Sequence, residues 1–201
     1  MKKSAWRYLW TSKDIRKKLL ITLFILILYR FAANIPVPGV NRSVIGTIFS
    51  STSAAGNLLN VFDLLSGGTL SNFSILAMGV YPYITAQIIV QLLIPLIPSL
   101  QKRIQDNPKE GRKLSERYTI LLTIPLSGLS AFGQIQIFRQ LAGSASIFNY
   151  SFGLAGSSLI PTLTTIISMM GGTMLGIWLG ELISEYGIPN QGLSLIIFAG
   201  I

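Results

Sequence analysis

Long apolar runs separated by short polar or charged segments dominate this sequence. The runs cover about residues 19–35, 73–98, 118–138, 159–183 and 193–201. A helix needs about 20 residues, at 1.5 Å each, to cross the hydrocarbon core of a bilayer. The first four runs approach or exceed that length, and the fifth is cut off at under half of it. The pattern therefore predicts an all-α polytopic membrane protein with five spans, the last of them truncated.

The second run is preceded by a short apolar segment, 58–65, that cannot cross a bilayer by itself. Gly67 and Gly68 predict the end of a short helix, because glycine readily adopts the positive φ favoured there. Ser71 is the predicted N-cap of a longer helix that runs from Phe73 to Pro98. A half-helix beside a full span is tolerated at membrane depth only where protein or a water-filled cavity surrounds it. The interrupted helix therefore indicates a pore or a transport site.

The composition agrees with a membrane protein and excludes several kinds of catalysis. The 201 residues are 50% hydrophobic and 11% charged, whereas soluble domains carry about 25% charged residues. Without Cys or His, the chain has no disulfide framework, no thiol nucleophile and none of the commonest general bases and metal ligands. It also lacks a GxSxG motif and a P-loop. We therefore expect no enzymatic activity, no cofactor and no metal.

The formal net charge of +9 is concentrated in two segments. Seven cations lie in residues 1–18 and six in the loop predicted at 99–117. The positive-inside rule makes both segments cytoplasmic, so residues 40–57 and 139–157 are expected to be outer loops. The first run lacks a small-residue cleavage site and is predicted to be an uncleaved span. The cations of the second segment are Lys102, Arg103, Lys109, Arg112, Lys113 and Arg117.

Some of these charges allow two interpretations. The basic segment 1–18 is expected to lie at anionic lipid headgroups, although a specific binding role is an alternative. Arg30 either snorkels to the outer end of the first run or faces the protein interior, since a charge at the bilayer centre costs at least about 2.5 kcal/mol. The segment 99–117 is either a solvated topology signal or a docking surface for an RNA-rich or protein partner.

Four residues of the second run share one stripe if that run is helical. Val80, Ile84, Gln87 and Gln91 are separated by four, three and four positions. The aliphatic pair is explained either by ordinary packing or by a gate. The amides favour a face directed at water or at a polar partner, because an amide facing lipid is costly. Asp63, in the short helix, is either a proton or cation site or a group near the outer water.

Several strings, in the same order, resemble the N-terminal half of the SecY family, the channel subunits of the protein-conducting translocon. They are Ile35–Gly39 (IPVPG), Ser66–Gly68 with Leu70-Ser71, Gly79–Ile84 (GVYPYI), Ile88–Leu93 (IIVQLL), Gly172–Met174, Trp178–Glu181 and Ser194–Ile201. The resemblance implies a basic cytoplasmic N-terminus, 1–18, followed by the N-terminal half of the channel domain, 19–201. This half would contain five helices of an inverted-repeat channel and a re-entrant plug helix.

The resemblance also implies roles for individual residues. The plug would be about 57–72, the pore ring would be apolar, and the second span would form part of a lateral gate and of the pore face. The implied plug residues are Val61, Phe62, Asp63, Leu64, Leu65, Ser66, Gly67 and Gly68; the ring residues are Val80, Ile84, Leu193 and Ile197; Gln87 and Gln91 would lie on the gate and pore face.

The implied function is that of the central channel subunit of the general secretory translocase, which passes unfolded polypeptides across and into the membrane. Implied partners are SecE- and SecG-like small membrane subunits, the motor ATPase SecA or the ribosome at the cytoplasmic loop, translocating polypeptides with their signal sequences, and anionic lipids. The implied location is a bacterial inner membrane rather than a thylakoid. Two rival hypotheses are half of an ion-coupled secondary transporter of inverted-repeat type, and a scaffold that holds partner helices.

Overall fold

The computed structural model describes residues 13–50, 57, 60–61, 63, 69–106, 108–143, 145–153, 156–188 and 191–200. Most of these residues are helical, and the described part contains no β-strand beyond two isolated antiparallel bridges. The prediction of an all-α protein is therefore confirmed. The helices are α1 (Lys13–Ala32), α2 (Arg42–Ser50), α3 (Tyr81–Leu96), α4 (Pro98–Asp106), α5 (Pro108–Ala142), α6 (Leu159–Tyr186) and α7 (Gly192–Gly200), with a 3-10 turn at Gly156–Ser158.

Two helical segments of the described chain are long and apolar enough to cross a bilayer. They are Glu110–Ala142 and Gly156–Tyr186. Helix α3 is apolar but has 16 residues, which gives a length of about 24 Å. Helix α1 carries a cluster of cations in its first turns and Arg30, which is exposed, in its last turn.

Helix α5 packs against α3 and α6, while α1 packs against α6 and α7. Two apolar clusters fill these contacts. The aromatic cluster contains Phe73, Phe138 and Phe148 with the buried face of α2. The central cluster joins α1, α6 and α7 to the residues that precede and begin α3, among them Leu76 and Val80.

Three non-helical segments are paired at one end of the helical bundle. The Val37 amide donates to the Phe73 carbonyl at 3.0 Å, and the Ile75 amide donates to the Ile35 carbonyl at 3.0 Å. Further along the same segment, the Asn41 amide donates to the Ile147 carbonyl at 2.7 Å. Residues 35–37 are therefore paired with residues 73–75, and residues 39–41 with residues 147–149.

The Tyr150 ring completes this end of the bundle. A Cβ atom at Gly39, which has φ +78°, would come within 2.8 Å of that ring. The Tyr150 hydroxyl is hydrogen-bonded to the Thr165 hydroxyl of α6. Burial raises the pKa of the Tyr150 phenol, and the hydrogen bond with Thr165 lowers it in part. The phenol therefore stays neutral and ties the loop after α5 to α6.

The helix predicted from Phe73 to Pro98 begins at Tyr81 and ends at Leu96, so the expected start was wrong. Phe73 has φ +42° and Gly79 has φ +53°, and neither conformation continues a right-handed helix. Pro82 lies in the first turn of α3. The N-cap of α3 is Val80, which makes no side-chain capping bond. The predicted cap at Ser71 is therefore also wrong. Residues 73–75 instead satisfy backbone groups by pairing with 35–37.

Two segments predicted as loops are largely helical. Residues 40–57 contain α2, whose Ile45 and Ile48 are buried. The described residues of the segment 99–117 fall in α4 and in the first turns of α5. Helix α4 follows Ile97, which is extended because a proline disfavours the α conformation of the residue before it. Helix α5 extends the predicted run 118–138 at both ends, and α6 extends the run 159–183 to Tyr186.

Candidate functional site

The interrupted helix proves to be a buried, non-helical segment, residues 69–80, that leads into α3. Phe73 is fully buried, and its ring makes edge contacts with Phe138 at 5.1 Å and Phe148 at 6.1 Å between centroids. Leu76, Ala77 and Met78 are also buried. The segment is therefore fixed by packing on one side and by backbone pairing on the other.

Glycines of α6 allow this segment to approach closely. A Cβ atom at Gly172 would overlap the carbonyl oxygen of Ile75. A Cβ atom at Gly176 would lie 3.7 Å from Val80 Cγ1 and 3.9 Å from Tyr29 Cε2. The segment thus lies against α6 because Gly172 carries no side chain, whereas a Cβ at Gly176 would make only ordinary van der Waals contacts with Val80 and with Tyr29 of α1.

Three of the four expected ring residues meet in the central cluster. Val80 is 5% exposed, and Ile84 and Leu193 pack against the same buried residues. Leu193 lies over Gly180, where a Cβ atom would be 3.0 Å from Leu193 Cδ2. Ile197 is 42% exposed. Ile84 and Leu193 therefore share the central cluster, whereas Ile197 keeps surface that this half does not cover.

The two expected amides lie on successive turns of α3. Gln87 is half-buried and Gln91 is exposed. Ile88 and Leu92, next to them along the chain, are 53% and 64% exposed. Because Val80 precedes the helix, the shared stripe on α3 begins at Ile84 and continues through these amides.

Two polar contacts hold the short segment predicted as the plug. One carboxylate oxygen of Asp63 accepts the amides of Leu70 at 3.1 Å and Ser71 at 2.9 Å. The side-chain amide of Asn60 donates to the Phe49 carbonyl in α2 at 3.0 Å. Val61 is helical and 54% exposed. The remaining predicted plug residues, Phe62, Leu64, Leu65, Ser66, Gly67 and Gly68, lie outside the described residues.

Sequence reasoning missed both of these contacts. An Asp shortly before a glycine pair was a usable signal, since short acidic side chains often accept amides of a following turn. Asn60 carried no signal, because its partner lies 11 positions away in a segment that was expected to be a loop.

The described cations of residues 99–117 are exposed. The Arg112 guanidinium forms an ion pair with Glu116 at 3.2 Å on the surface of α5. Lys102, Lys113 and Arg117 are also exposed, and the side chains of Arg103 and Lys109 lie outside the described residues. Among the residues that the structure describes, no three His, Cys, Asp or Glu side chains lie close enough to hold a metal ion.

Packed apolar helices and a buried non-helical segment at their centre define the class of an all-helical membrane protein. The family model for SecY matches residues 74–201. The chain belongs to the SecY family.

Curated relatives agree over almost the whole sequence. The chain is 38% identical to the protein translocase subunit SecY of Thermotoga maritima, over 98% of this chain and 44% of the relative. It is 36% identical to that of Borreliella burgdorferi, over 99% of the chain and 43% of the relative. It is 40% identical to that of Mycobacterium bovis, over 94% of the chain and 42% of the relative. The chain thus spans less than half the length of these relatives.

Proposed function

We propose that this chain forms the first half of the central channel subunit of the general secretory translocase, through which unfolded polypeptides pass across and into the membrane. The observation that carries the proposal is the meeting of Val80, Ile84 and Leu193 beside a buried non-helical segment, in a chain of the SecY family. The comparisons give no support to the alternative of an ion-coupled transporter.

In this proposal Val80, Ile84, Leu193 and Ile197 contribute one side of the pore ring, and the rest of the complete protein contributes the other side. A ring of aliphatic side chains is poorly hydrated, so a narrow apolar constriction impedes ions and water. Val80 is buried within this half and supports the ring from behind. Ile84 and Ile197 are the members with surface available to a translocating chain.

The plug is the short segment that ends near residue 72. The hydrogen bonds of Asp63 join this segment to residues 70 and 71 at its own end, and that of Asn60 joins it to α2; water replaces these tethers when the plug moves. A typical hydrogen bond contributes a net 0.5–1.5 kcal/mol or so, since folding exchanges it with hydrogen bonds to water. The neighbouring residues 73–75 are instead paired, and Phe73 and Ser74 are fully buried. The plug therefore moves about residues 69–72 while the ring support stays in place.

The exposed edge of α3 forms one side of the lateral gate. Gln87 and Gln91 provide a polar face toward the pore, and exposed Ile88 and Leu92 provide an apolar face toward lipid. A signal sequence that leaves the pore for the bilayer would cross this polar-to-apolar boundary.

The remaining assignments follow from charge and family. Residues 1–18 lie on anionic lipid at the cytoplasmic side, and five spans cross a bacterial inner membrane. SecE- and SecG-like subunits cover apolar faces of the bundle. The cationic helices α4 and α5 receive the motor ATPase SecA or the ribosome, because clustered cations steer association with acidic partners.

Site-directed cross-linking tests the channel. The sequence contains no Cys, so a single Cys at Ile84 of the complete protein, with any other native Cys replaced, reports on that position alone. We expect an adduct with a secretory chain arrested in transit. A Cys at Leu121, which is 68% exposed on α5, is the lipid-facing control. Equal adducts at both sites, or none at Ile84, would contradict the proposal.

A further inference from the structure

A polar pocket of about 420 Å³ lies where α5 ends. Its walls are the last two turns of α5 and the segment 145–153, and its polar groups come from Gln136, Arg139, Gln140, Ser146 and Ser151. Ligand pockets in proteins usually have volumes of about 300–1,000 Å³. None of the residues that line the pocket belongs to the proposed ring or plug, so the pocket has no part in the function proposed above.

Arg139 is the charged group of this pocket, and two neighbours hold it. Its guanidinium donates to the Gln136 side-chain carbonyl at 3.3 Å. Its central carbon lies 5.2 Å from the centroid of the Phe152 ring. Phe152 is itself stacked on Phe148, with centroids 5.7 Å apart. The guanidinium is therefore oriented in advance, which lowers the entropy lost when an anion binds.

The local charge favours an anion. Arg139 is the only charged residue between positions 118 and 180, so no acid in these segments neutralises it. The guanidinium fork matches the oxygen atoms of a phosphate or carboxylate. Amide and hydroxyl groups of Gln140, Ser146 and Ser151 add donors around the same space.

The wall opposite α5 is firmly anchored. The Asn41 amide donates to the Ile147 carbonyl at 2.7 Å, and the Asn149 amide donates to the Gly39 carbonyl at 2.9 Å. Tyr150 joins the same segment to Thr165 of α6. The pocket is thus formed before a ligand arrives.

An exposed apolar strip leads to the pocket along α5. Leu129, Phe132, Gln136 and Arg139 follow one another at spacings of three or four, so they share one helix face. Leu129 is 70% exposed and Phe132 is 36% exposed. The Phe132 ring lies 6.1 Å from that of Phe152 at the pocket rim. A ligand with an anionic head and an apolar tail therefore matches this face better than a free anion.

We propose that this pocket binds the phosphate of an anionic phospholipid, with one acyl chain along Phe132 and Leu129. Arg139 directly follows the apolar run 118–138 of α5, which is the level of lipid headgroups in a spanning helix. The site lies at the end of α5 opposite the cations of α4. It rests on the membrane placement of α5 but not on channel activity, so lipid binding and translocation can fail independently.

Native mass spectrometry of the purified complete protein tests this binding. Dioleoyl-phosphatidylglycerol is titrated into detergent solutions of the wild type, Arg139→Gln, Arg139→Lys and Arg42→Gln. Arg42 is an exposed cation on α2 near the same end of the bundle but outside the pocket. We expect Arg139→Gln to weaken retention of one lipid about tenfold, the usual effect of losing a charge-assisted hydrogen bond. Arg139→Lys should weaken lipid retention less than Arg139→Gln, and Arg42→Gln should retain the lipid as well as the wild type.

Two further arms distinguish the source of the phosphate and guard against misfolding. Inorganic phosphate alone should not displace the lipid, because it lacks the apolar tail. Ser146→Trp fills the pocket without removing charge and should also abolish the retained lipid. Unchanged retention in Arg139→Gln, equal loss in Arg42→Gln, or displacement by phosphate would overturn the proposal. So would a Cys at Ser151 that cross-links to a partner subunit in preference to a photoreactive lipid.

Discussion

Ile84 is the member of the proposed ring at which a substitution reports most directly on the proposed pore. We expect Ile84→Asp in the complete protein to raise the ion conductance of the resting channel, because a carboxylate hydrates the apolar constriction. Conductance across planar bilayers is the measurement. Val80→Asp would be harder to interpret, since Val80 is 5% exposed and a buried charge also destabilises the fold.

The conservative variant Ile84→Val is the control for this prediction. It keeps the side chain apolar and removes one methylene, so the conductance should stay near that of the wild type. If Ile84→Asp conducted no more than Ile84→Val, Ile84 would not belong to the constriction.

Gly172 and Gly171 are adjacent glycines with opposite expected responses to alanine. A Cβ at Gly172 would overlap the Ile75 carbonyl oxygen, whereas nothing lies within 4 Å of a Cβ at Gly171. We expect Gly172→Ala to lower the free energy of unfolding by about 1–3 kcal/mol through overpacking. Gly171→Ala should raise it by up to about 1 kcal/mol, since alanine is the better helix former.

Thermal unfolding of the complete protein in detergent measures both changes. Equal melting temperatures for the two variants would mean that α6 does not approach residues 69–80 as described. In the sequence the two glycines stand side by side in the fourth apolar run. The sequence could not distinguish them, because only the neighbour in space decides which glycine is needed.

At the scale of elements, apolar runs predicted the long helices well and the interrupted one poorly. The start of α6 and the core of α5 follow directly from composition. The residues before α3 have the same apolar character, but Gly79, Pro82 and the pairing of 73–75 with 35–37 prevent a helix there. Such pairing joins segments far apart in the sequence, so no local pattern reveals it.

The candidate sites also differ in how far the sequence predicts them. The stripe on α3 was predictable from spacing because it lies within one helix. The pocket beside Arg139 was not, since its second wall comes from residues 145–153, which were expected to be an open loop. The single cation after a long apolar run was visible in the sequence, but its orientation by Gln136 and Phe152 was not.

The plug tethers give a prediction at this scale. We expect Asp63→Ala to raise the resting conductance of the complete channel, because the amides of Leu70 and Ser71 lose their acceptor. A hydrogen bond to a partly exposed carboxylate contributes about 1–2 kcal/mol, so the displaced state should become about five- to thirtyfold more populated. Asn60→Ala should also raise the resting conductance, but by less, since the lost donor is a neutral amide.

Val61→Ala is the matched control, because Val61 lies between these tethers and is 54% exposed. Its conductance should equal that of the wild type. If Val61→Ala raised the resting conductance as much as Asp63→Ala, any substitution in the segment would raise it. The tether assignment would then be wrong.

At the scale of the whole molecule, charge gives the bundle two distinct ends. The cations of α4 and the first turns of α5 lie at one end, and the paired segments 35–41, 73–75 and 147–149 lie at the other. This asymmetry was readable from the sequence by the positive-inside rule. The chain spans less than half the length of its relatives, so the other side of the proposed pore is a matter for the complete protein.

The cationic end supplies the last prediction. Lys113 is an exposed cation of α5, whereas Arg112 one position earlier is paired with Glu116 at 3.2 Å. We expect Lys113→Gln to weaken binding of the motor ATPase more than Arg112→Gln, because the latter charge is already partly neutralised. The difference should shrink as ionic strength rises, since the Debye length falls from about 10 Å at 0.1 M salt to about 3 Å at 1 M. The measurement is binding of the motor ATPase to the complete channel in vesicles across this range of salt. If both variants bound it as tightly as the wild type at low salt, a docking role for this end would be contradicted.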